Sequence, residues 1–192
     1  MNAAGKNKLL RNGLIICFFF VHFLFLTFIL VENKAPVFIL SLVGIFTFFI
    51  FYAYYRSPFL HHHSMDFESW SVVLWVPAGA LSAFVLNQKL GLGPILAGSL
   101  VGVLASFIPN INKKSFYLSQ LPSVLYCGAF VGMTSPTVSN DYTFIFLASL
   151  ICAVFLMLSK NLLQGVGGKL GTLAFIGVVL ATLLYRLFNL WI

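Results

Sequence analysis

Three adjacent histidines, His61, His62 and His63, followed by Asp66 and Glu68, form the sequence's one cluster of side chains able to ligate a transition metal or exchange protons near neutral pH. A metal site also needs convergent geometry and hydrogen bonds that orient its ligands. Neighbouring residues on an irregular segment rarely provide that. No HExxH, GxSxG or HxxxH-type spacing accompanies the cluster. The expectation is therefore a connector at the level of lipid headgroups, with no metal, no cofactor and no assigned catalytic residue.

Two other residues invite a chemical reading. His22 lies inside a phenylalanine-rich apolar run with no acid at its depth, which points to an interhelical hydrogen bond rather than a proton relay. Lys169 follows a glycine-rich turn, Gly165-Val166-Gly167-Gly168. The residue after it is Leu170, so the phosphate-loop pattern GxxxxGK[ST] fails, and an interfacial turn fits better. Cys17, Cys127 and Cys152 fall within apolar runs at no metal or redox spacing and read as small hydrophobes.

A second set of residues could line a path instead of performing a reaction. Gly98 and Gly102, then Gly128 and Gly132, stand four apart, a spacing that lets helix backbones approach closely. Each pair starts near a proline, Pro94 or Pro122, and is followed by another, Pro109 or Pro136. Repeated apolar segments interrupted by glycine and proline are the sequence mark of a transporter or channel core. Around the pairs lie neutral hydrogen-bonding groups: Ser99, Ser106, Asn110, Tyr126, Thr134, Ser135, Thr137 and Asn140. The candidate path comprises Gly98, Ser99, Gly102, Ser106, Asn110, Tyr126, Gly128, Gly132, Thr134, Ser135 and Asn140. No Asp, Glu, Lys or Arg stands in the middle of an apolar run, so the carboxylate relay of many cation-coupled pumps is missing.

The elements that must position these groups are apolar helices. Of the 192 residues, 60% are apolar and 8% charged, against roughly a quarter charged in a soluble domain. Apolar runs cover about Leu14–Val31, Pro36–Tyr55, Trp70–Leu86, Leu92–Ile108, Leu118–Met133, Tyr142–Leu158 and Leu170–Phe188. A membrane crossing takes roughly 20 helical residues. The fold expected is all-α: a polytopic transmembrane bundle of about seven short spans, with room for re-entrant or broken helices and an internal repeat. Residues 1–69 form a Phe-rich helix pair with the histidine connector, and 70–192 a Gly-rich membrane core.

Charge sets the orientation. With a cytoplasmic amino terminus, Lys6, Lys8, Arg11, Arg56, Lys113, Lys114, Lys160 and Lys169 lie inside, and Lys34, Lys89 and Arg186 outside, as the bias of basic residues toward the cytoplasm requires. The net charge of +7 is spread over run ends rather than gathered in a basic stripe, which fits anionic lipid and excludes nucleic acid. The reading is a cytoplasmic (inner) membrane protein, a transporter or channel for a small solute or ion, assembled as a homo-oligomer. Its rivals are a non-catalytic membrane subunit that binds partner helices and, less favoured, an interfacial enzyme using His61, His62, His63, Asp66 and Glu68.

Overall fold

The computed structural model describes residues 12–17, 19–21, 23–24, 27, 37–56, 68–160 and 168–189. His22, His61, His62, His63 and Asp66 lie outside the described residues. The described residues form helices joined by turns and short connectors, with no strand among them. The chain divides into two compact units, Met1–Asp66 with Asn161–Val166, and Phe67–Lys160 with Gly167–Ile192.

The first unit contains helix α1, Val37–Arg56. Its apolar side chains point outward: Phe38 is 74% exposed and Phe48 65%. Ser41 donates its hydroxyl to the carbonyl of Phe38 at 2.8 Å, so its polar group is satisfied within the helix.

The second unit is built from α2 (Trp70–Val73), α3 (Val76–Phe84), α4 (Pro94–Ser106), α5 (Phe116–Gly132), α6 (Tyr142–Leu158) and α7 (Lys169–Asn189). A turn at Leu74 and Trp75 separates α2 from α3, Pro77 stands in the first turn of α3, and a π-helical turn, Val85–Lys89, continues it. Local chemistry sets several boundaries. Pro94 needs no amide partner in the first turn of α4. Ser115 caps α5 by accepting from the Leu118 amide at 3.4 Å, and Asp141 caps α6 by accepting from the Thr143 amide at 3.1 Å. Gly168, at φ +86°, supplies the left-handed backbone before α7. Among the described residues two stretches, Trp70–Lys89 and Lys169–Phe188, are long and apolar enough to cross a membrane. That property is compatible with a membrane protein.

Contacts fix the helix directions. Tyr117 Oη donates to the Ser71 carbonyl at 3.1 Å, and Asn87 Nδ2 donates to the Gly132 carbonyl at 3.2 Å, so Trp70–Lys89 and α5 run parallel. Helix α4 runs antiparallel to α5, with Gly98 facing Met133 and Gly102 facing Tyr126. Helix α6 is antiparallel to α7, with Tyr185 Oη donating to Asp141 at 2.9 Å at one end and Lys169 donating to the Lys160 carbonyl at 3.0 Å at the other.

Small residues bring the helices together. A Cβ on Gly79 would fall 2.1 Å from the Leu125 carbonyl oxygen, one on Gly128 2.0 Å from that of Val76, one on Gly132 2.2 Å from that of Ala80, and one on Gly177 2.6 Å from that of Ala148. Only glycine allows this backbone-to-backbone approach. Ala80, Ala83, Ala129, Ala148 and Ala181 are fully buried, whereas Ile95, Leu104, Phe116 and Phe188 are exposed. Phe84, Ile145, Leu173 and Ile176 are fully buried with the alanines, and large apolar side chains also cover the outside, the reverse of a surface made for water.

Candidate functional site

A groove of about 500 Å³ opens between α4 and α5, lined by Ser99, Gly102, Val103, Ser106, Pro122, Ser123, Tyr126 and Leu170. The periodicity of two helices puts these residues together. Ser99, Gly102, Val103 and Ser106 follow one face of α4 at three- and four-residue steps, and Pro122, Ser123 and Tyr126 one face of α5. The latter three occupy the middle turns of α5, away from either end. Pro122 has no amide hydrogen, so the helical bond to the Leu118 carbonyl one turn back cannot form.

Several Ser and Thr hydroxyls of this unit return to their own helix's carbonyls: Ser119 to Phe116 at 2.6 Å, Ser149 to Phe146 at 2.7 Å, Thr172 to Gly168 at 3.1 Å and Thr182 to Val178 at 2.8 Å. Ser106 does the same with Val103 at 2.6 Å. Ser99 and Ser123, on opposite walls of the groove, make no such bond among the described residues, and neither does the Tyr126 hydroxyl; Ser82 is the other helix serine of this kind. The Tyr126 ring packs on Phe130 with centroids 4.6 Å apart and borders Gly102, where a Cβ would approach it to 2.9 Å.

The expected path residues divide by position. Ser99, Gly102, Ser106 and Tyr126 come together in the groove. Gly98 faces Met133, whose Sδ would lie 2.5 Å from an added Cβ, while Gly128 and Gly132 face the backbone of α3. Thr134, Ser135 and Asn140 belong to the segment after α5, where Thr134 is buried with its hydroxyl on the Val131 carbonyl at 2.6 Å, and Ser135 pairs with Thr137 at 2.8 Å. Asn110 ends a short 3-10 turn at the opposite end of the bundle.

Sequence reasoning passed over Ser123, although its three-residue step to Tyr126 on a helix signals a shared face. It also passed over Asn87 and Gln88. Asn87, buried in the π turn, donates to the carbonyls of Gly132 and Thr134 at 3.2 and 3.3 Å, and Gln88 donates to those of Thr134 and Ser139 at 3.0 and 3.1 Å. Together they satisfy carbonyls that the end of α5 leaves open.

Charged groups of this unit sit at the two ends of the bundle. At one, Glu68 pairs with Lys160 at 3.2 Å, and Lys169 donates to the carbonyls of Ser159 and Lys160, completing the C-terminus of α6 with a cation where the helix dipole favours one. Lys113 and Lys114 precede α5 at this same end, where the Trp75 indole donates to Tyr117 Oη at 2.7 Å. At the other end, Lys89 lies 5.2 Å from the Tyr142 ring centroid, and Asp141 accepts from Thr143 and Tyr185. The Thr143 hydroxyl and amide, then the Tyr185 hydroxyl, hold the Asp141 carboxyl below its ordinary value.

Among the described residues no three His, Cys, Asp or Glu side chains gather as a metal site. The chain matches no known family model, curated protein or solved structure.

Proposed function

We propose that this is a polytopic helical protein of the cytoplasmic membrane that passes a small solute or ion along the α4–α5 groove, with a second copy of the chain closing the groove's open side. The observation that carries this reading is the pair of unreturned hydroxyls, Ser99 and Ser123, facing a shared space with Tyr126 at mid-height of the bundle. In hydrocarbon an unsatisfied hydroxyl costs about 1–3 kcal/mol, and Ser106, Ser119 and Ser149 avoid that cost through their own backbone. Ser99 and Ser123 gain their partners if the groove is filled with water or a polar solute.

The ends of the bundle support an orientation. Lys113, Lys114, Lys160 and Lys169, against Glu68, gather at one end, and Lys89 and Arg186, against Asp141, at the other. The lysine-rich end is then cytoplasmic. With two further spans before Trp70, the amino terminus is cytoplasmic as well. Trp70, Trp75 and Tyr117 at that end, with Tyr142 and Tyr185 opposite, suit two interfacial belts.

The test is flux into proteoliposomes by Ser123→Phe, which fills the groove from its exposed wall, beside Leu104→Phe, which adds bulk at an exposed position outside it. Flux lost at least tenfold in Ser123→Phe and kept in Leu104→Phe, with both variants monodisperse, is the expected result. Equal flux in both removes the groove as a path. If Ser123→Phe instead sheds a co-purifying membrane protein, the partner-subunit reading replaces transport.

A further inference from the structure

Resting on the transport reading, we infer that the solute is uncharged, with hydrogen-bond donors and acceptors of its own, and that Ser99, Ser123 and Tyr126 select it. Among the described residues the groove lining contains no Asp, Glu, Lys, Arg or His. The nearest cation in sequence, Lys169, adjoins Leu170 but commits its ammonium to the carbonyls of Ser159 and Lys160. Lys113, Lys114, Lys160, Glu68, Lys89, Asp141 and Arg186 lie at the bundle ends.

An ion crossing the middle of the bundle must exchange its water shell for protein ligands, and the loss of an unreplaced shell costs tens of kcal/mol in a medium of low dielectric. Calcium, for comparison, takes about six to eight oxygens. The free hydroxyls of Ser99, Ser123 and Tyr126, on two walls, fall short of that number and carry no charge to offset it. They suit a neutral solute, because a hydroxyl donates one hydrogen bond and accepts others. Val103, Leu170 and the Tyr126 ring supply apolar contact for its carbon atoms. The volume, about 500 Å³, holds a solute of several heavy atoms with accompanying water, each water occupying about 30 Å³. Amides and short polyols are the class that meets these conditions.

The test uses the full chain in liposomes. Urea and erythritol entry is followed by light scattering, and potassium and chloride movement by electrical or fluorescent readout, all against protein-free vesicles. The expected result is entry of urea or erythritol above the protein-free rate with ion movement at baseline. Ser99→Ala and Ser123→Ala should each slow solute entry roughly fivefold to tenfold, about the weight of one hydrogen bond, and Ser123→Thr should restore it. Ion movement without solute entry, or water permeation alone, overturns the inference while leaving a path in place. Solute entry unchanged in the Ser99→Ala, Ser123→Ala double variant overturns the assignment of these hydroxyls. No movement of water, solute or ion removes the transport reading itself.

Discussion

Replacing Gly128 by alanine tests how closely α5 lies on α3. The added Cβ would meet the Val76 carbonyl oxygen at 2.0 Å, the Ala80 nitrogen at 2.9 Å and the Val76 carbonyl carbon at 3.0 Å. All three are backbone atoms of a helix and cannot turn aside as a side chain can. Ordinary contact is about 3.5 Å, so the helices must separate by roughly 1 Å or more. A gap of 0.5–1 Å forfeits about a quarter to a half of each dispersion contact; for an interface on the order of 50 atom pairs at about 0.15 kcal/mol, that is about 2–4 kcal/mol. Alanine's helix propensity returns about 1 kcal/mol, leaving a net loss of about 1–3 kcal/mol, within the range for overpacked cores. Gly171 in α7 provides the opposite sign, since a Cβ there meets nothing within 4 Å, and Gly171→Ala should gain up to about 1 kcal/mol. Unfolding midpoints in an SDS titration from neutral detergent measure both. Gly128→Ala at or above the parent midpoint, or a larger loss in Gly171→Ala, would refute the packing argument.

Asn87→Leu replaces the amide by an apolar group of the same branching and removes the buried donor to the Gly132 carbonyl, while the Thr134 carbonyl keeps Gln88; it should lower stability in the same titration by about 1–3 kcal/mol. Cys127 and Cys152, with sulfurs 3.5 Å apart on α5 and α6, should lose two protons and two electrons to copper-phenanthroline and dioxygen, giving a product 2 mass units lighter (roughly, by the loss of two hydrogens) that reductant reverses; failure even in detergent would contradict the α5–α6 register. Asp141 has a depressed folded value, so its contribution is present above the ordinary carboxylate value and is lost as pH falls through the folded one. Between about pH 6 and pH 3, stability should drop more in the parent than in Asp141→Asn; equal slopes would deny the Asp141, Thr143 and Tyr185 cluster that role.

Apolar runs bounded by chemically distinct residues were legible almost to the residue. Tyr142–Leu158 coincides with α6 because Asp141 supplies a cap, and Leu170–Phe188 differs from α7 by a single residue at each end. The run Trp70–Leu86 was legible in extent but not in form: the break at Leu74 and Trp75 and the π turn reaching Lys89 leave no mark in an apolar pattern. Asn87 was hidden for a different reason. Its amide is buried because carbonyls at the end of α5 need donors, and that need arises in a helix more than forty residues later. The likeness between the two glycine pairs dissolves into different packing. Pro94 opens a helix while Pro122 stands inside one, and Gly98 meets a flexible Met133 side chain while Gly128 meets backbone. Spacing reports that a residue is small, not what occupies the room it leaves.

That difference between the glycine contacts bears on where a path can run. At Gly79, Gly128 and Gly132 helices α3 and α5 touch through their backbones, and at Gly177 so do α6 and α7, which leaves no space for a solute at those contacts. The α4–α5 contact is of another kind, resting on the Met133 side chain at Gly98 and the Tyr126 ring at Gly102. Side chains hold these two helices apart where backbone would draw them together, and the groove lies beside that spacer. On the proposed transport reading a path through this unit therefore belongs on its flank, and a flank path in a membrane needs a second surface to exclude lipid. The same geometry makes Tyr126 its adjustable wall. A methyl group at Gly102 would press on the ring at 2.9 Å and move it, without touching any backbone. Gly102→Ala should consequently alter solute entry while leaving the unfolding midpoint near that of the parent, whereas Gly128→Ala should lower the midpoint. If Gly102→Ala loses stability as Gly128→Ala does, α4 is held as tightly as α3, and the flank has no room to serve as a path.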